Sequence, residues 1–382
     1  MAGAALLALT TSAFAQATKQ NTVVLNALQP HSVRTFLHNV REESAEQPKL
    51  QSVSLSQDQT QAKTQAKTQA KIEDKPHGIC LATTSSAAAS IAACSTYIQA
   101  AGRRWDGLAP AFSRRAEAYR AQGDIDAAIA DFDRAIKIDP RKIDSLLGRG
   151  LAYLEKRDTD RATRDFSRAI SLDPRHVGAI QNRAQAYRAA GDLKRTILDY
   201  DLLVRINPKD SQTYYQRGLA RRELQEFGPA LDDFARAVQI DGDNALAHYG
   251  RGLVFYDMRQ YDRAIGELDC AINIKPSDAP AFNLRGLAYA AIGETRRSVQ
   301  DFDHAIQLDG RFAKAFINRG NIYLSTHRYD RALADYSTAV ELNPKDAYSL
   351  YSRGLTMRAL GQEEEATVEI AKAKALEPGI GP

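Results

Sequence analysis

The stretch that decides the fold is residues 177–210, VGAIQNRAQAYRAAGDLKRTILDYDLLVRINPKD. Small and apolar residues recur at helical spacing as far as Tyr187, and the Gly191-Asp192 pair then interrupts the helix. The same spacing resumes after this pair and ends at Pro208, because proline cannot continue a helix. The stretch therefore predicts two helices joined by a tight turn.

The same pattern returns every 34 residues along most of the chain. Proline or glycine ends each copy, at Pro140, Pro174, Pro208, Gly242, Pro276, Gly310, Pro344 and Pro378. Arginine holds the seventh position of each copy, at Arg115, Arg149, Arg183, Arg217, Arg251, Arg285, Arg319 and Arg353. Eight units therefore run over residues 109–380 without insertion or deletion, starting at 109, 143, 177, 211, 245, 279, 313 and 347.

Small and aromatic residues keep the same phase. A glycine or alanine follows each of these arginines, an alanine such as Ala169 recurs on most second helices, and aromatics such as Phe166 fill the gaps between close helices. This pattern resembles the tetratricopeptide repeat family, whose units are 34-residue helix-turn-helix pairs. The resemblance implies an all-α, right-handed solenoid superhelix of eight units, with first helices lining a groove for a peptide or partner protein.

The region before the first repeat resembles half of a unit. Ile91–Ile98 is similar to the second-helix segment Ile129–Ile136, so residues 77–108 are predicted to be a degenerate half-repeat that caps the array. Cys80 and Cys94 are expected to form a disulfide if the protein is exported to an oxidising compartment, and the alternative is two buried thiols.

The first residues have a different composition from the repeats. Ala13-Phe14-Ala15 matches the small-x-small motif of signal peptidase, so residues 1–15 are a predicted signal peptide and the protein is expected in the periplasm or secreted. Residues 1–3 carry no Lys or Arg, which leaves a cytoplasmic location open. Residues 16–76 are polar and poor in aromatics, which predicts a disordered tether.

Charge and hydropathy exclude two classes of protein. The chain has 382 residues, and its 51 Lys and Arg against 47 Asp and Glu give a formal charge of +4. This balance argues against a nucleic-acid binder that relies on bulk charge, so no nucleic-acid partner is predicted. The sequence has no apolar run of the ~20 residues that a membrane-spanning helix requires, so no transmembrane segment is predicted.

The arginine at position seven is matched by an acid on the second helix of the same unit. The eight acids are Asp131, Asp165, Asp199, Asp233, Glu267, Asp301, Asp335 and Glu369. The alternative is an arginine stripe that binds phosphate or acidic peptides. We interpret the two series as a ladder of ion pairs between packed helices, because partly buried cations need partners.

Two clusters are predicted to bind the partner, because the resemblance places positions two, five, nine and twelve of each unit in the groove, where we expect no packing constraint. The first cluster combines aromatic rings with guanidinium donors, as at binding hot spots: Arg188, Tyr215, Arg222, Tyr249 and Tyr256. The second offers amide and ammonium donors to a backbone or carboxylate: Asn283, Lys314, Asn318 and Asn321.

No motif for nucleotide binding, metal binding or nucleophilic catalysis occurs in the sequence, so neither a cofactor nor a metal site is predicted. We therefore predict that the protein is not an enzyme but a scaffold that binds a peptide or partner protein, in a bacterial cell envelope. The alternative is a cytoplasmic regulatory adaptor or chaperone helper. A homodimer formed through the C-terminal end or through Cys270 is a further expectation.

Overall fold

The computed structural model describes Cys80, residues 86–101 and residues 108–381. The predicted signal peptide at 1–15 and the predicted tether at 16–76 lie outside the described residues, as does much of the half-repeat at 77–108. The described residues belong to two compact units, one ending at Val254 and the other beginning at Phe255. We call them the N-terminal unit and the C-terminal unit.

The N-terminal unit consists of a single helix followed by helical hairpins. Its helices are α1 (Ala87–Ala101), α2 (Leu108–Ala121), α3 (Ile125–Ile138), α4 (Ile143–Glu155), α5 (Thr159–Leu172), α6 (Val177–Ala189), α7 (Leu193–Ile206), α8 (Ser211–Glu223) and α9 (Phe227–Ile240). The boundary between the two units falls within α10 (Ala245–Asp257).

The C-terminal unit continues the same alternation of first and second helices. Its helices after α10 are α11 (Tyr261–Ile274), α12 (Ala279–Ala291), α13 (Thr295–Leu308), α14 (Ala313–Ser325), α15 (Tyr329–Leu342), α16 (Ala347–Ala359) and α17 (Glu363–Leu376). From α4 onward, every first helix begins at the first residue of a 34-residue repeat. The described residues contain no strand, and the prediction of an all-α fold of tandem helical hairpins is confirmed.

The turn inside each hairpin needs one residue with left-handed backbone. Glycine supplies it in four repeats, for example Gly191 with φ 78°. The other four repeats place a residue with a Cβ there, for example His327 with φ 58°. Glycine adopts this conformation without steric cost, so the hairpins with a side chain at this position carry some backbone strain.

Aromatic rings from the second helices pack against glycines of the first helices. In the N-terminal unit the fully buried Phe234 ring lies between Gly218 of α8 and Gly250 of α10. A Cβ on Gly218 would lie 2.8 Å from a ring carbon, and one on Gly250 would lie 2.5 Å from it. The ring therefore joins two successive hairpins through contacts that only glycine permits.

The structure shows seven pairs of the predicted ion-pair ladder. The bonds run at 2.6–2.7 Å in Arg115–Asp131, Arg149–Asp165, Arg183–Asp199, Arg217–Asp233, Arg285–Asp301 and Arg319–Asp335, and Arg353 pairs with Glu369. For Arg285, burial lowers the pKa of the guanidinium, but the hydrogen bonds to Asp301 and Asp269 outweigh this effect, and the pKa is raised. These arginines are therefore held as cations inside the hairpin stack.

Several ladder arginines also reach back to the preceding second helix. Arg149 Nη1 lies 2.6 Å from Asp133 of α3, and Arg183 Nη1 donates to Ser167 of α5 at 3.1 Å. In the same way Arg115 Nη1 donates to Ser95 of α1 at 2.9 Å. The ladder thus links successive hairpins as well as the two helices of one hairpin, and α1 takes the place of a preceding second helix.

A disulfide lies at the start of the described chain. Cys80 and Cys94 are bonded, and both are fully buried against Ala111 of α2. The bond fixes Cys80 to α1, which the α2 arginine Arg115 contacts through Ser95. Cys270 of α11 is a free, exposed thiol.

Candidate functional site

The first helices of successive hairpins lie side by side. Within the N-terminal unit α2 contacts α4 and α4 contacts α6, and within the C-terminal unit α12 contacts α14. We call the surface formed by these helices the first-helix face of each unit. All nine partner-binding residues predicted from the sequence belong to first helices.

Arg188, from the first predicted cluster, is engaged by an acid on the next first helix. Its Nε and Nη2 atoms lie 3.1 and 2.5 Å from Glu223 Oε1. Arg120 and Glu155 form the same pair two repeats earlier, at 2.7 Å. These ion pairs connect neighbouring first helices. The guanidinium of Arg188 is therefore already bound by an acid of its own chain.

The expectation that the first cluster is free of packing constraints is wrong for two of its members. Tyr215 is only 8% exposed and packs with the Phe234 ring at 5.8 Å between centroids, and Arg222 is only 5% exposed. Tyr215 belongs to a core cluster with Leu219, Phe234 and Val254, so packing fixes its side chain. Tyr249 of α10 is half-buried.

Tyr256, the last member of the first cluster, lies in the C-terminal unit. It is half-buried, and its ring packs edge to face on Tyr261 with 5.5 Å between centroids. Burial raises the pKa of its hydroxyl to about 12, so the hydroxyl is a protonated donor at neutral pH.

The second predicted cluster separates into two hydrogen-bonded groups on the C-terminal unit. Asn318 Nδ2 donates to Asn283 Oδ1 at 2.8 Å, which joins α14 to α12. Asn283 is only 2% exposed, so the expectation that it is free of packing constraints is wrong as well. Buried amides require hydrogen-bond partners, and Asn318 supplies one. This pair holds two first helices together.

Asn321 of α14 forms the other group. Its Oδ1 accepts hydrogen bonds from Tyr336 OH at 2.6 Å and from Tyr348 OH at 3.1 Å. Burial raises the pKa of both tyrosines, so both hydroxyls stay protonated donors at neutral pH. The two bonds fix the orientation of the amide, whose Nδ2 has no acceptor within the described residues. Asn321 therefore presents two oriented N–H donors.

The helices that carry Asn321 and its partner Tyr348 also bear half-buried apolar side chains. Ile317 and Leu324 lie on α14, one turn before and one turn after Asn321, and Tyr351 and Leu355 lie on α16. Lys314, the last member of the second cluster, is half-buried at the start of α14. Apolar surface next to an oriented amide donor is suited to an extended peptide, whose side chains need contact area and whose carbonyls need donors.

Sequence reasoning missed the two tyrosines that orient Asn321. Tyr336 belongs to the second helix α15, where its ring fills the same position as Phe234. The replacement of phenylalanine by tyrosine at this packing position, with an asparagine 15 residues earlier, was the available signal. A buried hydroxyl needs an acceptor, and Asn321 supplies it.

The described residues contain no group of histidine, cysteine and acidic side chains arranged to hold a metal ion. Among the helices described, none combines the length and the apolar character needed to cross a membrane.

Comparisons with known proteins identify the repeats. Models described as tetratricopeptide repeat match residues 147–211, 215–279 and 313–346, and one described as TPR repeat matches 116–156. No curated protein sequence matches the chain. A tetratricopeptide repeat protein from Parabacteroides merdae is similar in structure, with 21% identity, 65% of this chain and 98% of that chain covered, and a TM-score of 0.56.

Two further solved structures overlap a smaller part of the chain. MamA from Desulfovibrio magneticus is 22% identical over 44% of this chain and 95% of its own, with a TM-score of 0.39. YrrB, described as a TPR protein with an unusual peptide-binding site, is 20% identical over 47% of this chain and 93% of its own, with a TM-score of 0.39.

Proposed function

The chain belongs to the tetratricopeptide repeat family, whose members generally mediate protein–protein interactions, and from this premise we propose that it is a non-catalytic scaffold that binds an extended peptide segment of a partner protein. The binding surface is the first-helix face of the C-terminal unit, around Asn321.

The oriented amide of Asn321 is the observation that carries this proposal. Its carbonyl oxygen is occupied by two tyrosine hydroxyls, and its N–H donors remain for a ligand. A carbonyl of an extended peptide accepts such a donor, while Tyr351 and Leu355 provide apolar contact for the peptide side chains. The ladder arginines contribute nothing to this recognition, because their guanidinium groups are occupied by acids of the same chain.

Peptide selection tests the proposal directly. Peptides that bind the full chain are selected from a random display library, and their dissociation constants are then measured with variants. We expect Asn321→Ala and Tyr351→Ala each to weaken binding about tenfold or more, as for residues at interface hot spots. Tyr351 packs partly against Val340, Leu350 and Ala373, so the melting of each variant is measured as well, and binding is assayed at a temperature at which the variant is fully folded.

The matched control is Leu198→Ala. Leu198 lies on the second helix α7 and is 65% exposed, so its truncation removes apolar surface away from the first-helix face. The selected peptides should bind this variant as they bind the wild type. Selected peptides that depend on Leu198 and not on Asn321 or Tyr351 would refute the proposed surface.

We further propose that the protein acts in the periplasm or another part of the bacterial cell envelope. The Ala13-Phe14-Ala15 motif and the disulfide between Cys80 and Cys94 support this location, because disulfides persist in oxidising compartments. Amino-terminal sequencing of the mature protein from its native host is expected to give Gln16 as the first residue. Retention of residues 1–15 would instead support the cytoplasmic adaptor or chaperone helper.

A further inference from the structure

A cavity lies at the turn between α14 and α15 of the C-terminal unit. Its volume is about 500 Å³, and its lining residues are His327, Arg328, Tyr329, Asp330, Arg331 and Leu360. We call it the α15 cavity. The lining includes two arginines and a histidine but a single acid. The His327 ring is fixed by a 2.6 Å hydrogen bond between its Nδ1 and Tyr329 OH. The lining therefore favours a negatively charged occupant.

Two other hairpins show how the residue equivalent to Arg331 is used. In α5, the Asp158 carboxylate accepts from the Arg161 backbone N–H at 3.0 Å and from Arg161 Nε at 2.5 Å. In α7, the Asp192 carboxylate accepts from the same two groups of Arg195, at 2.9 and 2.5 Å. The guanidinium groups also stack on Tyr153 and Tyr187, respectively. In both hairpins a carboxylate is thus held by the backbone N–H and the Nε of an arginine whose guanidinium lies over an aromatic ring.

Arg331 has every part of this arrangement except the carboxylate. It occupies the same repeat position as Arg161 and Arg195, and its guanidinium lies 5.7 Å from the centre of the Tyr323 ring. The residue in the place of Asp158 and Asp192 is Arg328, whose side chain does not cap the helix. No described carboxylate lies within ion-pair distance of Arg328 or Arg331. The position that an aspartate fills in the other hairpins is open to the α15 cavity.

We propose that the α15 cavity binds a carboxylate side chain from an acidic segment of a partner protein. The carboxylate oxygens accept from Arg331 Nε and from its backbone N–H, as Asp158 and Asp192 do in their hairpins, while Arg328 adds a second guanidinium and Leu360 an apolar wall. The site lies at the hairpin turn and not on the first-helix face, so it goes beyond the proposed function and is tested independently of it.

Asp330 repels a bound carboxylate no more than the equivalent acid does in another hairpin. Asp160 of α5 stands at the same repeat position, and the Asp158 carboxylate is nonetheless bound by Arg161. The α15 cavity has Arg328 in addition, so its balance of charge is more favourable to an anion than that of the α5 turn.

Binding of an acidic probe to the full chain tests the proposal. The probe is an acetylated, amidated octapeptide of glutamate and leucine with a fluorescent label, and its glutamine counterpart is the neutral control. We expect saturable binding of the acidic probe, weaker at higher salt, with affinity lowered about tenfold or more by Arg331→Gln, since charge-assisted hydrogen bonds are the strong ones. The glutamine peptide should not bind.

Arg328→Asp is the sharpest variant, because it restores the aspartate found in α5 and α7. Its own carboxylate should occupy the clamp, so binding of the probe is lost while the melting temperature rises through the added helix cap. The matched control is Arg297→Gln: Arg297 holds the same repeat position, stacks on Tyr289 at 5.6 Å and follows an N-cap Glu294. This variant should bind the probe as the wild type does.

Three results would overturn the proposal. The first is binding of the acidic probe that Arg331→Gln leaves unchanged, and the second is an equal loss in Arg297→Gln. The third is absence of probe binding together with saturable binding of inorganic phosphate that Arg331→Gln abolishes, which would assign the cavity to a phosphate group instead.

Discussion

Phe234→Ala is expected to lower the free energy of unfolding by about 3–5 kcal/mol, the range for removing a large buried side chain. The ring is fully buried and packs against glycines of two successive first helices, so neither hairpin can close the cavity without moving the other. Urea denaturation followed by circular dichroism measures the change, with the unfolding midpoint and slope taken from the same curve.

A glycine pair provides the control for this packing argument. Gly250→Ala places a Cβ 2.5 Å from the Phe234 ring, so it should destabilise by about 1–3 kcal/mol through overpacking. Gly242 has nothing within 4 Å of its Cβ position, and Gly242→Ala should leave stability within about 0.5 kcal/mol of the wild type. Equal effects of the two substitutions would contradict the account of close packing.

Asp199→Ala is expected to destabilise by about 3 kcal/mol or more, because removing one partner of a buried ion pair leaves the other charge uncompensated. Asp199 is almost fully buried, and it holds Arg183 through bonds of 2.9 Å to Nε and 2.6 Å to Nη2. Arg183 also donates to Ser167, but this partner is a neutral hydroxyl that cannot compensate the charge. Urea denaturation of the full chain measures this effect.

Two variants separate the buried charge from the contact itself. Arg183→Met combined with Asp199→Leu removes both charges and should recover most of the lost stability, since apolar replacements of buried pairs are often neutral. Asp126→Ala breaks the exposed pair with Lys156 and should cost less than about 1 kcal/mol. A double variant as unstable as Asp199→Ala would show that the ladder contributes more than compensation of charge.

The helices and their phase could be predicted from the sequence because each repeat position has one physical task. A turn needs a left-handed residue, a packed ring needs a glycine or alanine opposite it, and a buried arginine needs an acid. These requirements recur every 34 residues without interruption, so pairs such as Arg285 and Asp301 could be assigned from their positions alone.

The depth of each side chain on the first-helix face could not be predicted in the same way. Tyr215, Asn283 and Tyr351 share position five of their repeats, yet the first two are buried and the third is half-buried. Repeat phase determines the direction of a side chain, whereas the volume of its neighbours determines its exposure. The second carboxylate of several ladder arginines, such as Asp133 for Arg149, was also missed, because serine or alanine replaces it in half of the repeats.

Photo-crosslinking locates the bound peptide without a substitution, so it tests whether the peptide lies on the first-helix face of the C-terminal unit. A selected peptide carrying a benzophenone group is crosslinked to the full chain, and the modified residues are identified by mass spectrometry. We expect crosslinks on α14 and α16, among Ile317, Leu324, Tyr351 and Leu355. Crosslinks confined to second helices, such as α13 or α17, would contradict it.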